Sequence, residues 1–418
     1  MSKFIINGGN QLNGVWHVQG MKNAATPILA GTLLTREECI LRNMPRISDL
    51  EHMLEILRSL GAATKWLDQH TLSIRTPEIT TTKMDYLLTK RMRSSVLVLG
   101  PLLAIKGAVT MPEPGGCNIG NRPLDAHFEA FKALGADIEF TDKYYTISGG
   151  NLQGAKIKLL EKSVTATENI MLAAVATPGE TIITNAAAEP HVAALGRFLA
   201  ALGADISGIG TDTITIKGVD KFRGADFTII PDQLEVGTIA VLGALGGGEI
   251  TISPLVPADM AVVAEKLKEA GVDFSQPGDA WIVRGGKKLK AFNIKTAPYP
   301  GFPTDLQAPF GVLATQAGGD SHIQDLMFEN RLGYINELIS MGGRAEITDN
   351  HNAVIHGSAP LSGQSIESLD LRAGATLVIA GLIARGETII NNAEIIDRGY
   401  EAFDERLRQL GADIRRVE

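Results

Sequence analysis

The chain has 418 residues, 39 Lys+Arg against 47 Asp+Glu, and 44% hydrophobic content with only 5% aromatics. That length exceeds one ordinary hydrophobic core, so at least two domains are expected, and a net charge of −8 speaks against a general nucleic-acid surface. The N-terminus lacks a basic-then-apolar signal pattern, no apolar run approaches the ~20 residues of a membrane span, and Cys39 and Cys117 are too few for a disulfide framework, so a soluble, cytoplasmic protein is expected.

From the start of the chain, Phe4–Val18 reads as strand, turn and strand, placed to complete the sheet of the repeat that ends at Ile414. A repeat then recurs to the end of the chain. An apolar helix opens each copy, predicted over Ala24–Leu34, Met92–Ile105, Thr167–Ala176, Val236–Leu245, Leu306–Ala314 and Gly374–Ala384. A Gly-bounded strand follows, as in Gly179–Ile183 and Gly386–Ile390, then a loop, a second helix and two short strands. The second helix ends in a Leu-Gly-Ala-like step whose glycines are Gly61, Gly135, Gly203, Gly271, Gly342 and Gly411, spaced by 68 to 74 residues. Glycine at a helix C-terminus adopts the left-handed conformation without strain. The opening helices are apolar all round and should be buried, whereas the Gly-terminated ones should be half exposed. Six α/β repeats of about 70 residues make two domains of three. The expected division is 22–229 for the first domain, and 1–21 with 230–418 for the second, with the junction near Gly224–Pro231.

Charged residues stand where helices begin. Lys22, Arg93, Ser163, Asp232, Asp305 and Arg372 occupy the starts of the apolar helices, and Arg122, Glu189, Arg331 and Arg398 those of the Gly-terminated helices. A helix N-terminus presents free N–H groups and a positive dipole end, so acidic residues there serve as caps, whereas cations oppose the dipole. Each cation alone is an ordinary solvated side chain. Six at matching phases point to an external anion, a phosphate or a carboxylate. The stretch Pro114–Pro123 surrounds Cys117 with glycines and places Arg122 five residues on, which favours a thiolate able to act as nucleophile or acid–base group. Cys39, within an apolar strand-like run, is expected to be packing. His127 and His191 fall in the second helices as packing or surface residues. With no HxxxH, HExxH or CxxC spacing, no Gly-rich Lys-Ser/Thr loop and no GxGxxG after a strand, neither a metal nor a nucleotide cofactor is expected.

Five segments in order, Lys22-Asn23-Ala24-Ala25, Cys117–Arg122, Phe302–Asp305, Phe328–Arg331 and Asp397–Tyr400, resemble the UDP-N-acetylglucosamine 1-carboxyvinyltransferase family. The resemblance covers the whole chain. It implies an inside-out α/β barrel of two three-repeat domains. It also implies transfer of the enolpyruvyl group of phosphoenolpyruvate to the 3′-hydroxyl of UDP-N-acetylglucosamine in peptidoglycan precursor synthesis. In such enzymes the residues matching Lys22, Arg122 and Arg398 hold the phosphate, and those matching Asn23, Arg331, Asp370 and Arg372 surround the reacting centre or the carboxylate. Cys117 matches the thiol that adds to phosphoenolpyruvate, serves as an acid near its C3 and is alkylated by fosfomycin, and Asp305 matches the aspartate that contacts the sugar hydroxyl and is the candidate base. Sugar-nucleotide contacts carry over to Arg93, to Arg122, Pro123, Leu124, Asp125 and Ala126, to Lys162, Ser163 and Val164, and to Met327. Because these residues come from both halves, domain closure around the ligands is implied.

The chain departs from the family at several positions. Met21 and Thr165 replace small residues, Ala126 stands where Leu is frequent, and Pro309 lies inside the fifth apolar helix, where it should kink or shorten the first turns. Related enolpyruvyl transferases acting on another nucleotide or on shikimate 3-phosphate, and a non-catalytic sugar-nucleotide-binding relative, remain the alternatives.

Overall fold

A helix that is apolar on every side needs protein on every side. Six helices of the computed structural model, which describes residues 2–116, 120 and 122–418, are covered along most of their length, the exposed end Ile105–Lys106 being the main exception: Lys22–Gly31, Leu99–Lys106, Val164–Ala174, Gln233–Leu245, Gln307–Gln316 and Leu371–Ile383. Every residue from Leu234 to Ala244 and from Leu371 to Leu382 is buried. Residues 20–116 and 122–230 form one compact unit, and residues 2–19 and 231–418 the other, each with three of these helices at its centre. No helix among the described residues is long and apolar enough to cross a membrane.

The outer helices are Ser48–Ser59, Asp125–Ala133, Pro190–Leu202, Ala261–Glu269, Tyr334–Ser340 and Phe403–Gln409. Pro190–Leu202 differs from the half-exposed expectation, since Arg197 alone among its residues is exposed. Its sequence is apolar nearly all round, which matches that burial. The glycines that end these helices have φ of +105°, +96°, +105°, +78°, +95° and +98° in chain order, the left-handed geometry that glycine adopts freely.

Among the described residues there are six sheets, three per unit. Most are built alike: a strand after the inner helix, two strands after the outer helix paired antiparallel, and a short parallel strand on the far edge. Side chains alternate, as in Thr213–Lys217, where Ile214 and Ile216 are buried. The parallel strands Lys156–Lys158 and Ile294–Lys295 are too short to leave a periodic signal in sequence. In the sheet of Ala108–Pro112 the edge is reduced to one bridge, Lys83 to Thr110. Of the opening segment, Lys3–Asn7 lies between Glu387–Asn391 and Asp413–Val417, in the sheet that ends the chain. Gly14–His17 instead pairs in parallel with Glu249–Ser253 in a different sheet, so Phe4–Val18 serves two sheets rather than the expected one.

Several helix starts differ from the sequence expectation: the helix predicted from Met92 becomes α-helical at Leu99, after the 3₁₀ turn Arg93–Val98, and the one assigned to start at Arg331 begins at Tyr334. Arg398 ends a 3₁₀ turn, Ala393–Arg398, and the helix begins only at Phe403, after Ala402 at φ +44°. The fifth apolar helix continues through Pro309. A 3₁₀ turn, Thr304–Leu306, precedes Gln307–Gln316, so Pro309 falls in the first helical turn, where an N–H has no intrahelical acceptor anyway.

The inner helices cross closely. A Cβ on Gly100 would lie 2.3 Å from the Asn169 carbonyl oxygen and 3.0 Å from the Leu172 side chain. Alanine favours a helix interior over glycine by about 1 kcal/mol, but here the obstacle is backbone, which cannot step aside. Gly100→Ala should therefore lower the unfolding free energy by about 1–3 kcal/mol, read as a lower urea midpoint; an unchanged or higher midpoint would contradict this crossing.

Candidate active site

In the unit of residues 20–116 and 122–230, Lys22 is the first residue of its helix, with Met21 before it offering no side-chain cap. Its Nζ pairs with Asp49 Oδ2 at 2.5 Å, and the two side chains are 12% and 2% exposed. Asp49 lies in the first turn of Ser48–Ser59, where an acidic residue is ordinarily a dipole partner, so sequence gave no reason to single it out. Asn23 follows, half-buried. Arg93 opens the 3₁₀ turn Arg93–Val98, and its guanidinium donates to the Arg122 carbonyl oxygen. Burial, and then the charge of Arg122, lower its pKa to about 10. Two guanidiniums that disfavour each other are a setting that an anion relieves. A Cβ on Gly116 would come within 2.9 Å of Arg93 Cβ and 3.2 Å of Arg122 Nη2, so the loop backbone runs against this pair.

Pro123 and Leu124 lead into the helix that starts at Asp125 and Ala126. Lys162 is exposed, and Ser163 caps Val164–Ala174 by accepting the Ala166 N–H at 3.4 Å. Cys117 lies outside the described residues, as do Asn118, Ile119 and Asn121. Cys39 is fully buried, and burial raises its pKa. His127 and His191 are both buried.

In the other unit the charged groups are tightly paired. Arg331 Nη1 donates to Asp305 Oδ1 at 2.6 Å and to Thr304 Oγ1 at 3.0 Å, while Arg372 Nε donates to Asp305 Oδ2 at 3.3 Å. Arg372 is 5% exposed, with Asp232 4.0 Å away and the Tyr400 ring centroid 5.3 Å away. Burial works against its charge, but Tyr400, Asp232 and Asp305 outweigh burial and raise its pKa. Arg331 is raised likewise: burial opposes the charge, and Asp305 and Asp370 overcome it. Arg372 Nη1 is nonetheless buried without a hydrogen-bond acceptor among the described residues. Asp370 caps its helix, accepting the N–H groups of Arg372 at 2.7 Å and Ala373 at 2.9 Å. Met327 follows Asp325, whose Oδ1 accepts its N–H at 2.9 Å. Arg398 is half-buried at the end of its 3₁₀ turn.

The structure thus joins Lys22 to Asp49, Arg93 to Arg122, and Asp305 to Arg331 and Arg372. An external anion is not the sole counter-charge available to the cations at helix starts. Lys22, Arg331 and Arg372 each have a carboxylate partner within their own unit. Sequence reasoning also passed over Glu168. It is fully buried, with burial and then Glu189 raising its pKa well above the ordinary carboxyl value. Its position inside an apolar helix is visible in the sequence, and a carboxyl there is the signal that could have found it. Among the described residues no group of three or more His, Cys, Asp or Glu side chains could hold a metal ion.

A profile of EPSP synthase (3-phosphoshikimate 1-carboxyvinyltransferase) matches residues 6–407. The UDP-N-acetylglucosamine 1-carboxyvinyltransferase of Coxiella burnetii is 44% identical over 420 residues, covering 100% of this chain and 96% of that protein. The chain belongs to this family of carboxyvinyltransferases. The enzyme of the same name from Halothermothrix orenii is 43% identical over 417 residues, with both chains fully covered. The crystal structure of the enolpyruvyl transferase NikO from Streptomyces tendae matches with a TM-score of 0.91 at 25% identity, covering 100% of this chain and 99% of that one. The mixed α/β fold is therefore that of the enolpyruvyl transferases.

His127 carries a pH dependence of known sign. It is 1% exposed and lies between Thr165 Oγ1, 3.0 Å from Nε2, and Asn169 Nδ2, 3.1 Å from Nδ1. Burial, and then the charge of Arg93, lower its pKa from 6.5 to about 3. A depressed histidine supports the fold fully above the unfolded value and loses that support as pH falls through the window from 6.5 toward 3. From pH 7 to pH 5 the stability should fall by about 2 kcal/mol on this account. His127→Gln should flatten that part of the urea-midpoint profile, and equal slopes for the two proteins would refute the assignment.

Proposed function

We propose that this chain transfers the enolpyruvyl group of phosphoenolpyruvate to the 3′-hydroxyl of UDP-N-acetylglucosamine and releases inorganic phosphate, the first committed step of peptidoglycan precursor synthesis in the cytoplasm. The observation that carries the reading is the Asp305 carboxylate held by Arg331 and Arg372, in a chain matched end to end by carboxyvinyltransferases. Asp305 takes the proton of the sugar hydroxyl as its oxygen adds to C2 of phosphoenolpyruvate, while C3 gains a proton from Cys117. The product of that step is a tetrahedral ketal phosphate. The Cys117 thiolate then takes a proton back from C3 as the bond between C2 and the phosphate oxygen breaks, which restores the double bond and frees phosphate.

Lys22, Arg122 and Arg398 hold the phosphate in this reading, and Asn23, Asp370, Arg331 and Arg372 surround the reacting carbon and the carboxylate. Arg93, Arg122–Ala126, Lys162–Val164 and Met327 take the sugar nucleotide. The same reading divides the chain into three-repeat domains, 22–229 and 1–21 with 230–418, arranged as an inside-out α/β barrel of six repeats. A second reading, an enolpyruvyl transferase with another nucleotide acceptor, draws on the match to NikO and on Thr165 and Ala126.

Phosphate release from phosphoenolpyruvate, measured with UDP-N-acetylglucosamine, UMP and shikimate 3-phosphate in turn, separates these readings. Stoichiometric release with the first acceptor alone is the expected result, and release with UMP alone would favour the second reading. Asp305→Asn should lower kcat by about 10²-fold or more. Fosfomycin should add one mass adduct to the wild type and none to Cys117→Ala; an adduct on Cys39 would displace the thiol assignment.

A further inference from the structure

Thr165 is one of the chain's departures from its family, and the structure shows what its hydroxyl does. A line of hydrogen bonds runs through the buried contact of three helical segments. The Gly100 N–H donates to Asn169 Oδ1 at 2.9 Å, and Asn169 Nδ2 donates to the Val96 carbonyl oxygen at 3.0 Å. These two bonds fix the amide: its oxygen faces Gly100 and its nitrogen supplies both protons. The second proton goes to His127 Nδ1 at 3.1 Å, so that ring nitrogen is the acceptor. A neutral imidazole with Nδ1 accepting carries its proton on Nε2, and Nε2 lies 3.0 Å from Thr165 Oγ1. The Thr165 oxygen therefore accepts, and its own O–H is left to donate. Among the described residues that O–H has no acceptor, and Thr165 is only half-buried, in the first turn of Val164–Ala174 directly after Ser163 and Val164.

We infer that Thr165 is a specificity-determining residue for the nucleotide, its hydroxyl donating a hydrogen bond to an acceptor oxygen of the bound sugar nucleotide, on the uracil or on the phosphates. The inference rests on the proposed sugar-nucleotide site, whose segments Arg122–Ala126 and Lys162–Val164 flank the His127–Thr165 bond in sequence. The relayed bonds set the polarity: a buried backbone N–H at one end, the O–H of a half-buried threonine at the other. A small residue at this position would leave the His127 N–H to find another acceptor and would present no donor to the ligand. The Arg93 guanidinium, whose charge is felt at His127, marks the same end of the unit as the cationic one.

The test compares wild type, Thr165→Val and Thr165→Ser. Valine keeps the shape and removes the hydroxyl; serine keeps the hydroxyl. For Thr165→Val, KM and the equilibrium Kd for UDP-N-acetylglucosamine should rise about 5- to 10-fold, with kcat and KM for phosphoenolpyruvate within about twofold of wild type. Thr165→Ser should return all of these to near the wild-type values. Binding of UMP and uridine locates the acceptor: a loss seen already with uridine places it on the uracil, and a loss seen only with UMP places it on phosphate. Unchanged Kd in Thr165→Val overturns the inference. So does a parallel change in kcat and both KM values together with a lowered Tm, because that pattern belongs to a residue that merely supports His127. The binding measurement does not need turnover. If the wild type binds UDP-N-acetylglucosamine yet releases no phosphate, the proposed reaction fails while the role of Thr165 is still decided; if the wild type binds none of these nucleotides, both fail.

Discussion

A helix buried on every side can meet polar chemistry only at its ends. Each unit places three such helices at its centre, so whatever binds and reacts must gather at helix termini and at the loops that enter them. The close crossing at Gly100 and the left-handed glycines that turn the chain out of the outer helices are the conditions for this arrangement. The sheets on the outside cover the apolar helices and reuse one pattern, with the first strand of the chain lying between two strands from its end.

Placing cations at such termini carries an electrostatic cost, because the helix dipole and the loss of water both oppose them. The protein offsets that cost locally. Lys22 is met by Asp49, and Arg331 and Arg372 share Asp305, with Asp232 behind Arg372. A carboxylate shared by two guanidiniums is fixed in position, and Nη1 of Arg372 is buried without a hydrogen-bond acceptor among the described residues. Arg93 follows a different course: burial, and then the charge of Arg122 beside it, lower its pKa, and a nearby anion would oppose that lowering. The unit of Lys22 thus holds both a carboxylate-paired lysine and the Arg93–Arg122 contact, and in the other unit Arg331 and Arg372 are organised by Asp305.

The polar line through Gly100, Asn169, His127 and Thr165 shows how a buried network can transmit a donor from backbone to surface. Every member but the last has its hydrogen-bonding capacity assigned by its neighbours, which is the condition under which a buried polar network specifies one arrangement. Thr165 is thereby coupled to a histidine on another helix.

The amino-acid sequence by itself determined the repeating helices, the glycines that end the outer ones, the burial of Cys39 and, through five motifs, the family. These are local properties: apolar periodicity, a left-handed turn and short residue patterns are set within a few neighbours. Tertiary structure alone decided which charges meet. Asp49 and Asp232 carry no signal beyond an ordinary dipole partner or cap until Lys22 and Arg372 are brought to them from distant segments. The parallel edge strands of two or three residues, the pairing of Gly14–His17 with Glu249–Ser253, and the displacement of the last helix from Arg398 to Phe403 were likewise invisible, since each depends on partners far along the chain. The same holds for Thr165: sequence marked it as a departure, and only the packing of His127 against Asn169 fixed which way its hydrogen bonds run.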